Sequence, residues 1–260
     1  MKRFINDFKR YWPYINYSAI CDLKSEVADS YLNWLWWIIE PICFMLIYVF
    51  IGNVVFRKSE PYFPVFVFIG ITLWNFFSKT ITASTTLVKS NKNIIKKVYI
   101  PCFMLVIERM LANFYKMCIS FVLIIIFMLF YRVPFSFNVL YLLPLIIIIV
   151  LISFGLGTIL LHFGVFMDDL SNLITVILRL LMYMSGIFYS ISNRVPTPFN
   201  KYLLLLNPIA YSIDATREAL LYLNSPNILT ITVWFLIGII ISTFGIGLVY
   251  HYENSYAKVN

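Results

Sequence analysis

Apolar residues in this chain come in long unbroken runs, not in the half-buried periodic patterns of soluble domains. A helix needs roughly 20 apolar residues to cross a bilayer. Six runs meet that length: Leu32–Val55, Tyr62–Thr86, Arg109–Tyr131, Val139–Phe166, Leu173–Ile191 and Ile228–Tyr250. The pattern predicts an all-α integral membrane protein with six transmembrane helices, in a single domain over 32–260 preceded by an interface segment, 1–31.

Three segments do not read as spans. In 1–31, Phe4, Ile5, Phe8, Tyr11 and Trp12 recur at helical spacing with Lys and Arg between them. That is the pattern of an amphipathic helix lying in the membrane plane, interrupted at Pro13. In 89–101, "KSNKNIIKKVYIP", lysines flank the apolar pair Ile94–Ile95. Two readings are open: a solvated positive loop, or a short helix that docks its apolar side on a soluble partner. The third segment, 192–226, contains "NPIAYSIDATREALL", with Asn207 at a helix cap and Pro208 in the first turn. This helix is too short to span and carries Asp214, Arg217 and Glu218.

Composition supports the membrane reading. The chain is 260 residues long, 61% hydrophobic and only 12% charged, about half the charge of a soluble domain. "MKRFINDFKRYWPY" has neither an apolar core nor a cleavage site, so no signal peptide is read there. The net charge of +8 is a feature of cytoplasmic loops, not of nucleic-acid binding. With the N-terminus inside, twelve Lys and Arg fall on the cytoplasmic side (Lys2, Arg3, Lys9, Arg10, Lys24, Lys79, Lys89, Lys92, Lys96, Lys97, Arg109, Lys258) and six outside (Arg57, Lys58, Arg132, Arg194, Lys201, Arg217). Both termini are therefore expected in the cytoplasm. Cys21, Cys43, Cys102 and Cys118 form no CxxC and are expected as free thiols.

Catalytic chemistry is missing. There is no nucleotide-binding GxxxxGK[ST], no HExxH and no metal-spaced cysteine set, and His162 and His251 lie far apart. Asp168–Asp169 reads as a helix-end cap on a cytoplasmic turn. Charges inside apolar runs are costly. Glu40 and Arg179 both fall about 10 Å from the cytoplasmic edge of spans running the same way. Equal depth and opposite sign suggest a buried ion pair. The alternative is that each faces a water-filled path by itself.

The order of motifs resembles the membrane subunit of type-2 ABC transporters that export capsular polysaccharide, O-antigen and teichoic acid. "DLKSEVADSYLNWLWWIIEP" (22–41) is similar to that family's entry to the first span, with Asp22, Leu23, Lys24, Ser30, Leu32, Trp36 and Pro41 in agreement. "IIKKVYIP" (94–101) resembles its coupling segment, "VFMDDL" (165–170) its turn with Asp169 kept, and "ILRLLMYMSGIFYS" (177–190) its fifth span. "LNPIAYSIDATREALL" (206–221) carries the Asn-Pro and the later Arg of the outer segment. Glu26, Val27, Asn33, Cys102, Asp168 and Gly186 depart from the family's pattern.

The resemblance implies a transport subunit without enzymatic activity, in the cytoplasmic membrane. Two copies would form a conduit for a lipid-linked glycan or polyol-phosphate polymer. Two copies of a separate cytosolic ATPase, using ATP and Mg, would dock on 1–31 and on the coupling loop 87–101. No cofactor is implied for this chain. Lys92, Ile94, Ile95, Lys96, Lys97 and Pro101 are then expected at the ATPase contact, and Asp22, Lys24, Ser30, Trp36 and Asp169 at the cytoplasmic interface or gate. Segment 192–226 is expected to fold as outer re-entrant helices, with Asn207, Pro208, Asp214 and Arg217 at the outer gate. An Asp214–Arg217 pair, three residues apart on one helix face, is expected to hold that fold. An interfacial helix lying flat remains the alternative. Rival functions are a type-2 exporter of small drugs or lipids, a membrane-embedded glycan-modifying enzyme and an ion-coupled carrier.

Overall fold

The computed structural model describes residues 2–28, 31–52, 60–97 and 99–256. Among these residues there are helices and connecting turns but no strand. The calls on Ser30, Arg57, Lys58 and Lys258, and on the side chain of Ile94, lie outside them.

The first helix, α1 (Lys2–Val27), runs through Pro13 without the expected break. Ile15, Ala19, Leu23 and Val27 recur every four residues, and all are buried. This stripe packs α1 along the later helix α6. Ile5 and Trp12, on the apolar side read from the sequence, are exposed on the surface of the chain.

A 3-10 turn over Asn33–Leu35 leads into α2 (Trp36–Phe50). The innermost helix is α3 (Phe63–Ser84), which touches α2, α6, α7, α8 and α11. Its residues 65–74 are buried at every position because protein encloses them. Two one-turn helices follow, α4 (Leu87–Ser90) and α5 (Lys92–Ile95).

Helix α6 (Phe103–Phe130) starts six residues before the expected Arg109. The charges at Glu108 and Arg109 disguise its first turns. Glu108 accepts from Ser18 Oγ at 2.5 Å, and Arg109 pairs with Asp22 at 3.3 Å. Both partners lie on α1, which covers those turns.

Helix α7 (Leu142–Phe166) and the last helix α12 (Ile228–Tyr256) pack along each other. Ser242 Oγ donates to the Leu151 carbonyl at 2.8 Å within that seam. Between them come α8 (Leu170–Met184), α9 (Ile191–Arg194), α10 (Phe199–Leu206) and α11 (Pro208–Leu220).

Among the described residues, five stretches are long and apolar enough to cross a membrane: Asn33–Phe50, Phe63–Ser84, Phe103–Phe130, Phe137–Phe166 and Ile228–Glu253. The expected fifth span, Leu173–Ile191, is where the structure differs. Helix α8 has 15 residues, or roughly 22 Å at 1.5 Å per residue, against a hydrocarbon core of about 30 Å. It stops because the chain turns through Gly186 at φ +64°.

Candidate functional site

Within segment 192–226, the stretch from Asn207 starts a helix as its sequence specifies. Asn207 caps α11, its Oδ1 accepting from the backbone N–H of Ile209 at 3.0 Å and Ala210 at 3.2 Å. Pro208 takes the first helical position, where a missing N–H costs nothing. Asn207 also fixes where α11 begins in space, because its Nδ2 donates to Ser185 Oγ at 3.0 Å, at the end of α8.

The other ends of this segment meet at one carboxylate. Glu60, just before α3, lies 3.7 Å from Arg194 Nε. It also accepts from Tyr222 Oη at 3.2 Å. Arg194 ends α9 and Tyr222 follows α11. The chain thus leaves the Glu60 level after α9, descends through α10 to Asn207 beside Ser185, and returns through α11. This is a helical hairpin folded back into the bundle. Eleven residues of α11 are buried, and none of α10.

Arg217 is the pin of that hairpin. Only 1% of it is exposed. Its Nε donates to the Phe66 carbonyl at 3.0 Å, Nη1 to the Gly186 carbonyl at 2.7 Å and Nη2 to the Ile187 carbonyl at 2.8 Å. One side chain therefore joins α11, α3 and the turn after α8. The expected Asp214–Arg217 pair is corrected here. The Asp214 carboxylate instead accepts from Ser192 Oγ at 2.8 Å, holding α9 to α11. The physical reason is reach: carbonyls freed by the turn at Gly186 lie nearer the guanidinium than its neighbour on the helix. Proline cannot take φ +64°, so glycine at 186 suits the turn that presents these carbonyls.

The opposite end of the bundle holds the expected coupling residues. Lys92–Ile95 forms the short helix α5, as the docking reading requires. Ile95, however, packs against the chain's own cluster with Leu87, Val88 and Phe103. Ile95 therefore has a packing role within the chain itself. Asn93, Lys96 and Lys97 are exposed, while Pro101 is buried at the start of α6. Asp169 stands at the N-cap position of α8 without a side-chain capping bond. Its neighbour Asp168 pairs with Lys89 of α4 at 2.6 Å, and that ammonium holds the exposed carboxyl below the usual aspartate range.

A network the sequence did not reveal joins three segments here. Arg3 Nη2 donates to Glu253 Oε1 at 2.6 Å and to Tyr99 Oη at 2.6 Å. Tyr99 Oη donates in turn to Glu253 Oε2 at 3.0 Å. Tyr250 Oη donates to Asp7 at 2.7 Å, and Tyr11 Oη to the Tyr99 carbonyl at 3.0 Å. The start of α1, the segment after α5 and the end of α12 are thereby tied together.

The Glu40–Arg179 pair does not form within the chain. Glu40 lies 3.3 Å from Lys79 Nζ instead. Arg179 is exposed, in a groove with Trp74, Ser78 and Thr82. Helices α2 and α8 both contact α3, and Glu40 and Arg179 meet different residues of it, so equal depth does not bring their charges together. Asp22 pairs with Arg109, Lys24 is exposed in the last turn of α1, and Trp36 begins α2.

The model of one family, described as ABC-2 type transporter, matches residues 22–221. The O-antigen export system permease protein RfbA of Klebsiella pneumoniae is 27% identical over 240 residues, covering 92% of this chain and 91% of the relative. The protein of the same name from Myxococcus xanthus is 26% identical over 202 residues, 77% of each chain. The polysialic acid transport protein KpsM of Escherichia coli is 22% identical over 205 residues, covering 77% of this chain and 78% of the relative.

Proposed function

The chain belongs to the ABC-2 type transporter family, and from that premise we propose that it is the permease subunit of an ATP-driven exporter. Its cargo is a lipid-linked cell-surface glycan or teichoic-acid-type polymer assembled in the cytoplasm. The observation that carries this reading is the end-to-end similarity to an O-antigen export permease, which pairs 92% of this chain with 91% of that relative. The polysialic acid transport protein adds a second relative named for glycan movement.

The mechanism follows from the architecture. The chain offers no nucleotide site, so a separate ATPase supplies ATP hydrolysis with its Mg. Two ATPase copies dock at the α1–α5 end, which is the cytoplasmic end by its lysines and arginines. The exposed Asn93, Lys96 and Lys97 of the coupling loop give a polar contact surface there. Two permease copies enclose the conduit. Their meeting surfaces are the apolar faces that α2, α8 and α10 leave uncovered, such as Phe44, Ile47, Leu180, Tyr202 and Leu205. Arg179 then stands on an inter-copy surface or in the conduit, where water or cargo satisfies it.

The short α8 serves as the fifth crossing together with the hairpin that follows it. A half-helix at membrane depth is stable only where protein satisfies its ends and charges. The bonds of Asn207, Asp214 and Arg217 meet that condition, so α10 and α11 form the outer re-entrant rim of the conduit.

The test is reconstitution of the chain with its neighbouring ATPase in vesicles, supplied with lipid-linked glycan extracted from the host. Glycan should reach the far side only with ATP and both subunits. Transport by this chain without the ATPase, or normal surface glycan in cells lacking the chain, would overturn the reading.

A further inference from the structure

A cavity of about 450 Å³ lies between the end of α1, the start of α2, the middle of α3 and the first half of α6. It is lined by one chain and opens to the surface past Glu40 and Lys79. From Arg109 to Ser120 its α6 wall runs eleven residues, or roughly 16 Å, so the cavity reaches from the membrane boundary well into the span. A polar space at that depth needs a polar occupant, because bare charges facing hydrocarbon are costly.

The wall carries three cations, Lys79, Arg109 and Lys116, against two carboxylates, Glu26 and Glu40. The carboxylates do not exhaust the donors. Lys79 lies 3.3 Å from Glu40, and Lys116 bonds Glu26, yet each ammonium has three protons to give. Arg109 meets Asp22 at 3.3 Å and Glu26 at 3.8 Å through its terminal nitrogens, and its Nε has no partner. The Asn75 amide makes no hydrogen bond among the described residues. Each cation thus faces a carboxylate, but the N–H donors outnumber the bonds these make, and spare donors of this kind are what phosphate oxygens accept.

We propose that this cavity binds the headgroup phosphate of an anionic glycerophospholipid, with Lys79, Lys116 and Asn75 as its donors. Basic pockets between membrane helices at the cytoplasmic boundary are suited to such headgroups. Trp36 and Trp37 stand at its α2 wall, where indoles anchor at the lipid–water boundary. The volume takes a headgroup but no polymer, which separates this site from the conduit proposed between two copies.

Native mass spectrometry of the purified transporter, released from nanodiscs containing phosphatidylglycerol and phosphatidylcholine, tests the site. Phosphatidylglycerol should be retained in preference. Lys79→Gln should lower that retention about fivefold, Lys79→Arg should keep it, and Lys201→Gln on the exposed α10 should leave it unchanged. Asn75→Leu breaks no internal bond, so it carries the test if Lys79→Gln fails to fold, and it too should lower retention. Equal retention of both lipids, or a preference that survives both Lys79→Gln and Asn75→Leu, would overturn the proposal. Tighter retention of a short polyprenyl pyrophosphate than of phosphatidylglycerol would overturn it in favour of a cargo-lipid site.

Discussion

The guanidinium of Arg217 lies against the ring of Phe66, its central carbon 3.5 Å from the ring centroid. Its three nitrogens meanwhile bond three carbonyls on two other segments. Arg217 is thus a structural pin between α3, the Gly186 turn and α11, and is not free to meet cargo.

Removing the pin should affect folding before transport. Arg217→Met leaves three buried carbonyls without their donor, at a cost of about 3 kcal/mol or more. Arg217→Lys keeps the charge but lacks the planar fork, so it should rescue only part. Thermal melting in detergent reads both. Unchanged melting of Arg217→Met, with export lost, would return Arg217 to the gate.

Gly70 makes room for that guanidinium. A Cβ built there would stand 2.6 Å from Arg217 Nη2 and 3.3 Å from the Ile187 backbone. Because Arg217 is held by three bonds, it cannot swing aside cheaply. Gly70→Ala should therefore lower folded yield nearly as much as Arg217→Met, and the two changes together should cost less than their sum. Strict additivity would mean that Gly70 and Arg217 do not share the niche.

The membrane-depth charges can be sorted by double-mutant cycles. Glu40 and Lys79 are each 45% exposed along the side chain, so their coupling should be modest, about 0.5 kcal/mol. Glu40→Gln with Arg179→Met should show none. A larger coupling for Glu40 with Arg179 in the assembled transporter would show a pairing between copies.

The knot at the other end should matter for power transmission. Arg3→Glu places two carboxylates together with Glu253 and should free the first turns of α1 from α12. Hydrogen exchange across residues 2–12 should accelerate, and ATP hydrolysis should continue with less export. The swap of Arg3→Glu with Glu253→Arg should restore much of the coupling. No recovery in the swapped variant would show that the contact does not carry the motion.

Much of this was legible in the chain. Long apolar runs fixed the helical membrane class, since only helices or closed barrels satisfy a backbone in lipid. Asn207–Pro208 announced the start of α11 because capping is a local bond between a side chain and the next turn. The family motifs around Asp22, Pro101 and Asn207 pointed to a glycan-export permease. Reading failed where the answer depended on azimuth or on distant partners. Run length could not reveal that α8 ends at Met184, because Ile187, Phe188 and Ile191 carry the apolar run past it. Depth counting put Glu40 beside Arg179, but Glu40 meets Lys79 of α3 and Arg179 lies in a groove with Trp74, Ser78 and Thr82. Sequence spacing paired Asp214 with Arg217, while the folded turn at Gly186 offered nearer carbonyls. The knot of Arg3, Tyr99 and Glu253 joins residues up to 250 positions apart, and such a contact leaves no local trace. Local hydrogen bonding and hydropathy are written in the order of residues. Which faces meet is decided only when all the helices pack.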